Sequence, residues 1–313
     1  LVRRHDLELA IAHNGALVNS PSLRKELEAE GSIFQTKTDS EIFAHLIVRA
    51  LSSMPLKKAI LEACRRVQGA YSLVILANDK LIGLRDPHGI RPLAIGRAGE
   101  SLILASETCA FDLLEAEFIR TVRPGEMVVI EGSKLTNLKS YFIHPQYQLP
   151  KSQRCVFEMV YFARPYSYVF NQNVYMARKR MGMQLAKEAP VEADLVMPFP
   201  DSGVYCAVGY AQASGIPYEH ALIRNHYVGR TFIQPTQAMR ESGIRMKLNP
   251  LRDVLDGKRV IIIDDSIVRG TTSRKIVKAL RDAGAIAVHM RVSSPPVTHP
   301  CFYGIDTDNQ DQL

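Results

Sequence analysis

Two adjacent carboxylates, Asp264 and Asp265, end the apolar run 260–263 and precede a loop carrying Ser266, Gly270, Thr271 and Thr272. Four β-branched apolar residues read as a buried strand, and the amphipathic stretch 273–281 reads as a helix. At the carboxyl end of a parallel strand, loop amides and the free N–H groups of the next helix point outward, which suits an anion such as phosphate. The two carboxylates would repel that anion. They are better placed for sugar hydroxyls or a divalent cation, so the expected ligand is a phosphorylated sugar with a metal. An acidic turn between strand and helix is the plain alternative.

The elements that must hold this loop are those of an α/β sheet. Residues 195–200 (LVMPFP) form a second buried strand that runs into Asp201, Ser202 and Gly203 before a helix over 205–214. Residues 285–292 (AIAVHMRV) add a third, and strands alternating with helices imply a doubly wound parallel sheet. Ligands in such sheets sit at the carboxyl ends of strands, where both loops fall. Between them, 222–249 is long, basic and without sustained periodicity, as functional loops are.

The string DDSIVRGTT (264–272) resembles the phosphoribosyl pyrophosphate (PRPP) signature of type I phosphoribosyltransferases, and in particular of the glutamine-dependent amidophosphoribosyltransferase family. The resemblance implies that Asp264 and Asp265 contact ribose hydroxyls and Mg²⁺. It also implies that Ser266, Val268, Arg269, Gly270, Thr271 and Thr272 wrap the 5′-phosphate. Asp201 and Ser202 would hold pyrophosphate, with Ser202 near the metal, while Arg230, Thr231 and Lys247 would reach PRPP from the long loop.

The first half reads differently. Residues 7–18 (LELAIAHNGALV) are an apolar strand stopping at Asn14 and Gly15, a pair that is also a turn signal. Helices follow over 20–30, capped by Ser20 or Ser22, and from TKTDSE (36–41) through Val48, with Asp39 at the start of the second. AHNG (12–15) and TDSE (38–41) resemble the glutaminase domain of N-terminal-nucleophile amidotransferases. That likeness implies an oxyanion hole from Asn14 and Gly15 and an α-amino contact from Asp39 to glutamine. GAYSLV (69–74), LRDPHGIRPL (84–93) and LASETCAF (104–111) match the same domain. Read without it, residues 86–89 are a turn, Arg85, Arg91 and Glu107 are paired structural charges, and His13 and His88 are structural.

The expected organisation is an incomplete α+β N-terminal-nucleophile glutaminase domain over 1–153, then an α/β phosphoribosyltransferase domain with a parallel sheet over 154–313, truncated at its end. The family's nucleophile is an N-terminal cysteine that would precede Leu1, so this chain is expected to be a fragment unable to hydrolyse glutamine. Cys155 is either a small core residue or, as the family's iron–sulfur branch implies, one of four cluster ligands with Cys301 as the second; the others lie in a CxxC that the chain lacks. A [4Fe–4S] cluster is accordingly expected in the parent protein.

Composition sets the bounds. With 313 residues, 46% of them hydrophobic, the chain has material for two cores. The net charge of +7 is scattered, its longest cluster being Arg178, Lys179 and Arg180, which fits small polyanionic substrates better than nucleic acid. No stretch approaches the ~18 apolar residues of a membrane span. Five cysteines without a CxxC pair argue against a disulfide framework, and the expected location is the cytoplasm. Family resemblance further implies glutamine and PRPP as substrates, a homotetramer, and purine nucleotides as feedback inhibitors. The alternatives are an ammonia-dependent phosphoribosyltransferase and a PRPP-binding regulator without catalysis.

Overall fold

The computed structural model describes residues 2–4, 7–132, 137–145, 150–225, 248–267, 270–305 and 307. They fall into two compact units: Leu1–Glu158 with Tyr166–Gln172 and Pro300–Asn309, and Met159–Pro165 with Asn173–His299. Pro300–Asn309 thus groups with the first unit although it follows the second in sequence.

In the first unit, β1 (Val2–Arg4), β2 (Leu7–Leu17), β3 (Gly69–Ala77), β4 (Lys80–Arg85), β8 (Glu126–Glu131) and β9 (Leu138–Phe142) form an antiparallel sheet in that order. Helices α1 (Ser20–Ala29), α2 (Ser40–Ala50) and α3 (Leu56–Arg66) pack on one face. Helix α3 shows why: Ala59, Ile60, Ala63 and Cys64 make one buried stripe while its Lys and Arg residues face outward. The core between sheet and helices holds Leu73, Ile75, Ile82 and Leu84 against Leu27, Phe43, Ile47 and Ile60. Behind the sheet, β5 (Ala94–Ala98), β6 (Ser101–Ala105) and β7 (Glu117–Thr121) form a smaller sheet, with α4 (Cys109–Leu113) between β6 and β7. Leu93, Ile95 and Leu102 close a second core there with Val128 and Ile130.

Strand β2 corrects the reading of Asn14 and Gly15 as a strand end. It runs on to Leu17, with Asn14 opposite Ser72 and Gly15 opposite Tyr71. The signal misleads because Gly15 has φ +142°, and a side chain there would strike the Ala70 carbonyl, so glycine serves close strand approach rather than a turn. Helix α1 is likewise not capped by Ser20 or Ser22. Asn19 occupies the cap position without a side-chain capping bond, its amide being engaged by Arg66 O and Gln68 N instead, and Ser22 Oγ donates to the Asn19 carbonyl.

A short ribbon, β10 (Tyr168–Val169) with β11 (Gln172–Asn173), precedes α5 (Val174–Glu188). The second unit centres on a parallel sheet of β12 (Leu195–Pro198), β15 (Arg259–Asp264) and β16 (Ala287–Val292), with β15 in the middle. Alternation along β15 sends Val260 and Ile262 to a core with Ile276 and Leu280 of helix Thr271–Asp282. Ile261 and Ile263 face Cys206, Ala207 and Tyr210 of α6 (Val204–Ser214) on the other side. Covered on both faces, β15 needs an unbroken apolar run, which is what the sequence carries. β13 (Leu222–Arg224) and β14 (Leu248–Pro250) pair antiparallel beside it. No helix of the described residues is long and apolar enough to cross a membrane.

Candidate substrate sites

Asp264 is the last residue of β15, and Asp265 begins the loop that follows. Both carboxylates are nearly buried, at 8% and 3% exposure. Their backbone is fixed by the segment after β16: Ser293 N donates to Asp264 O at 3.0 Å and Ser294 N to Asp265 O at 2.9 Å. Asp264 Oδ1 accepts the Asp265 N–H at 2.9 Å, and Asp265 Oδ1 accepts the Ser266 hydroxyl at 2.8 Å. Asp265 Oδ2 is buried with no hydrogen-bond partner.

Burial, and then the neighbouring Asp265 charge, push the Asp264 carboxyl up to about 7. Burial also raises Asp265, opposed by the hydroxyls of Ser266 and Ser202 and by the charge of Arg178. No well-formed hydrogen bond joins Ser202 to Asp265, yet the Ser202 hydroxyl lies near enough to favour the charged carboxylate. An anionic pair with one idle oxygen and a depressed tendency to ionise is a site short of positive charge or of hydroxyl donors.

The second loop is held as tightly. Gly203 lies so close to β15 that a side chain would meet the Ile263 carbonyl, and Phe199 N donates to that same oxygen at 2.8 Å. Asp201 is exposed but paired, its Oδ2 accepting Arg224 Nη1 at 2.5 Å. Helix Thr271–Asp282 begins after Gly270, whose φ of +64° suits the tight entry that glycine permits. Arg230, Thr231, Lys247, Val268 and Arg269 lie outside the described residues, as does the side chain of Thr271.

Sequence reading missed Arg178 and Arg224. Arg178 belongs to the longest basic cluster of the sequence, but it is buried, donating to Met159 O at 2.8 Å and Ala163 O at 2.9 Å while its charge reaches Asp265. Nothing in a helix-face count marks it, because its burial depends on the turn Glu158–Phe162 packed beside it.

In the first unit, Asn14 and Gly15 stand on β2 and Asp39 immediately precedes α2. Asp39 makes no capping bond. Its Oδ2 accepts Leu17 N–H at 2.8 Å, and Oδ1 lies 3.5 Å from His13 Nδ1. Burial works against its charge, but the bonds from His13 and Leu17 prevail and hold it below the usual carboxylate range. One β-strand therefore carries Asn14 and Gly15 and, through Leu17 and His13, orients Asp39. Arg85 and Arg91 are structural in their contacts: Arg85 donates to the carbonyls of Arg91, Val122 and Gly89, and Arg91 pairs with Glu158 at 2.8 Å. Residues 86–89 form the expected turn, closed by Gly89 N to Asp86 O.

All five cysteines are free, with Cys64 and Cys206 buried and Cys109, Cys155 and Cys301 partly so. Burial raises the Cys155 thiol. Among the described residues no group of three or more His, Cys, Asp or Glu side chains is arranged to hold a metal.

Fold and site together define a glutamine amidotransferase domain joined to a phosphoribosyltransferase domain. Comparison with known proteins finds both kinds of domain: a glutamine amidotransferase domain matches residues 1–112 and a phosphoribosyl transferase domain matches 167–294. The chain is 56% identical over 97% of its length to an amidophosphoribosyltransferase of Synechococcus elongatus, covering 62% of that protein. It is 49% identical to that of Methanocaldococcus jannaschii, covering 67% of it. The structure of the Bacillus subtilis glutamine PRPP amidotransferase, complexed with ADP and GMP, superposes with a TM-score of 0.91 at 50% identity, over all of this chain and 67% of that one. The chain belongs to the amidophosphoribosyltransferase family, and spans about three fifths of the length of its cyanobacterial relatives.

Proposed function

We propose that the full-length protein converts PRPP to 5-phosphoribosylamine with ammonia drawn from glutamine, releasing pyrophosphate and glutamate, the committing step of purine synthesis. The observation that carries this reading is the buried Asp264–Asp265 pair, with its unpartnered oxygen, at the carboxyl end of the central parallel strand.

In the synthetic half-reaction the bond from C1 of the ribose to pyrophosphate breaks as the ammonia nitrogen bonds to C1, and the nitrogen then loses a proton. Negative charge grows on the departing pyrophosphate while the ring becomes cation-like. Asp264 and Asp265 accept hydrogen bonds from the ribose hydroxyls and so fix C1. Ser202 with the loop 201–203 faces the pyrophosphate side, and Ser266, Gly270, Thr271 and Thr272 surround the 5′-phosphate. Asp201, Val268, Arg269, Arg230, Thr231 and Lys247 complete this assignment by family likeness. Mg²⁺ fits Asp264, Asp265 and Ser202, since the pair lacks positive charge, and when bound it would neutralise charge on the phosphates. In the glutaminase half-reaction Asn14 and Gly15 donate to the oxygen of the tetrahedral intermediate, and Asp39 binds the α-amino group.

Cys155 and Cys301 are proposed as two ligands of a [4Fe–4S] cluster in the full-length protein. Two thiols do not complete a four-cysteine set, and no step depends on it. The assignment of 1–153 to the glutaminase and 154–313 to the transferase, a homotetramer, cytoplasmic location and feedback inhibition by purine nucleotides rest on the family likeness.

The test is Asp264→Ala with Asp265→Ala in the full-length protein, assayed with PRPP and ammonia. Loss of turnover by at least about 10²-fold is expected, the usual cost of misplacing a reacting centre. Turnover that survives would remove the pair from the site.

A further inference from the structure

Gly304 sits against the proposed oxyanion strand. The position a Cβ would take there is 2.9 Å from Arg91 Nη2, 3.1 Å from Gly15 C and 3.2 Å from Gly15 O, and its φ is +103°. The adjoining Tyr303 carbonyl accepts Arg91 Nη2 at 3.0 Å, and Arg91 Nη1 is committed to Glu158 Oε1 at 2.8 Å, both side chains nearly inaccessible. Cys301 N donates to Thr307 O at 3.1 Å and Tyr303 N to Cys301 Sγ at 3.4 Å, so the loop presenting Gly304 is itself closed. On its other side Gly15 abuts the Ala70 carbonyl of β3, leaving no room for a side chain.

Gly15 is therefore pinned between β3 and a segment nearly 290 residues later in the chain, counted from Gly15 to Gly304. A glycine is the residue least able to hold its own conformation, having no Cβ to restrict φ and ψ. A donor that must meet a developing oxyanion needs that conformation fixed before reaction. The geometry points to Arg91 and Gly304 as positioning residues of the glutaminase site: a brace that bears on the Gly15 carbonyl and, by fixing the backbone of that residue, directs its N–H towards the oxyanion, assembled only when Tyr303 and Gly304 seat on Arg91. This rests on the glutaminase role proposed for Asn14 and Gly15. Arg91 reads in sequence as an ordinary structural charge because its acceptors, Glu158 and Tyr303, are remote from it.

Gly304→Ala in the full-length protein separates the brace from general folding. Its methyl group would press on Gly15 and Arg91, and its backbone conformation disfavours any side chain. Glutaminase kcat is expected to fall on the order of 10²-fold, as for a catalytic donor displaced by ~1 Å. KM for glutamine, set through the untouched Asp39, should change little, and ammonia-dependent synthesis from the same preparation should be preserved. Arg91→Lys is expected to fall between wild type and Arg91→Met, because one ammonium cannot reproduce a guanidinium held by two acceptors. Hydrogen–deuterium exchange of the peptide spanning 12–16 reads the brace directly and should speed up in Gly304→Ala.

Unchanged glutaminase kcat, or equal loss of both activities, overturns the inference, as does unchanged exchange at Gly15 and Ala16. A wild-type protein that uses ammonia but never hydrolyses glutamine would instead refute the glutaminase role, and the exchange result alone would then decide whether the brace exists.

Discussion

At the scale of single residues, the Asp264 carboxyl carries the clearest prediction. An ordinary Asp titrates near 3.9, whereas burial and Asp265 push this one up to about 7. Between those values the folded protein holds a proton that the unfolded chain has released. Stability contributed by the protonated group is therefore full below pH ~4 and lost as pH rises towards 7, at ~1.4 kcal/mol per pH decade. Asp264→Asn keeps the shape and abolishes the titration. In the absence of divalent cations, denaturant midpoints should favour the variant over wild type by roughly 2–3 kcal/mol more at pH 8 than at pH 5. A gap independent of pH would show that Asp264 does not titrate as described. Added Mg²⁺ should narrow the gap at pH 8, because it replaces the proton as the compensating charge.

At the scale of elements, the sequence was most informative where one strand is buried on both faces. The apolar run 260–263 reads as a buried strand with the carboxylates at its carboxyl end, and the structure makes it the central one. It was least informative where two distant segments meet. Arg178 looks like a surface charge until the turn Glu158–Phe162 lies against it, and Asn14–Gly15 looks like a turn until Ala70 approaches. Helices α5 and α6 present the same difficulty. Gly182 abuts the Cys206 carbonyl and Gly209 the Lys179 carbonyl, so these helices cross backbone to backbone, a contact that no periodicity within either helix reveals. In isolation Gly209→Ala would stabilise a helix by ~1 kcal/mol through propensity. Here the added methyl group has no space and the helices must part, so a net destabilisation of about 1–3 kcal/mol is expected, as for overpacked cores. Because α6 opens directly after loop 201–203, the same variant should weaken PRPP binding. A variant with raised melting temperature and unaltered binding would show that the crossing is looser than these contacts imply.

At the scale of the whole molecule, the two units have separate apolar cores. In the first unit one lies between the six-stranded sheet and α1–α3 and a second behind that sheet, and in the other unit two lie on the faces of the parallel sheet. A chain with separate cores is a candidate for more than one unfolding step. A ligand bound to one unit stabilises that unit by mass action, at ~2.7 kcal/mol when present at a hundred times its dissociation constant. For a unit of this size that is roughly 5–10 °C in melting temperature. Calorimetry of the chain with PRPP and Mg²⁺ should therefore move one transition by about that amount and leave the transition of the glutaminase unit near its original temperature. The transitions can be assigned by substitution: Asp264→Ala should abolish the shift, whereas Asp39→Ala should not. Two outcomes would count against the reading. A shift that survives Asp264→Ala would place PRPP elsewhere. A single transition raised as one body would show that the two units do not unfold independently.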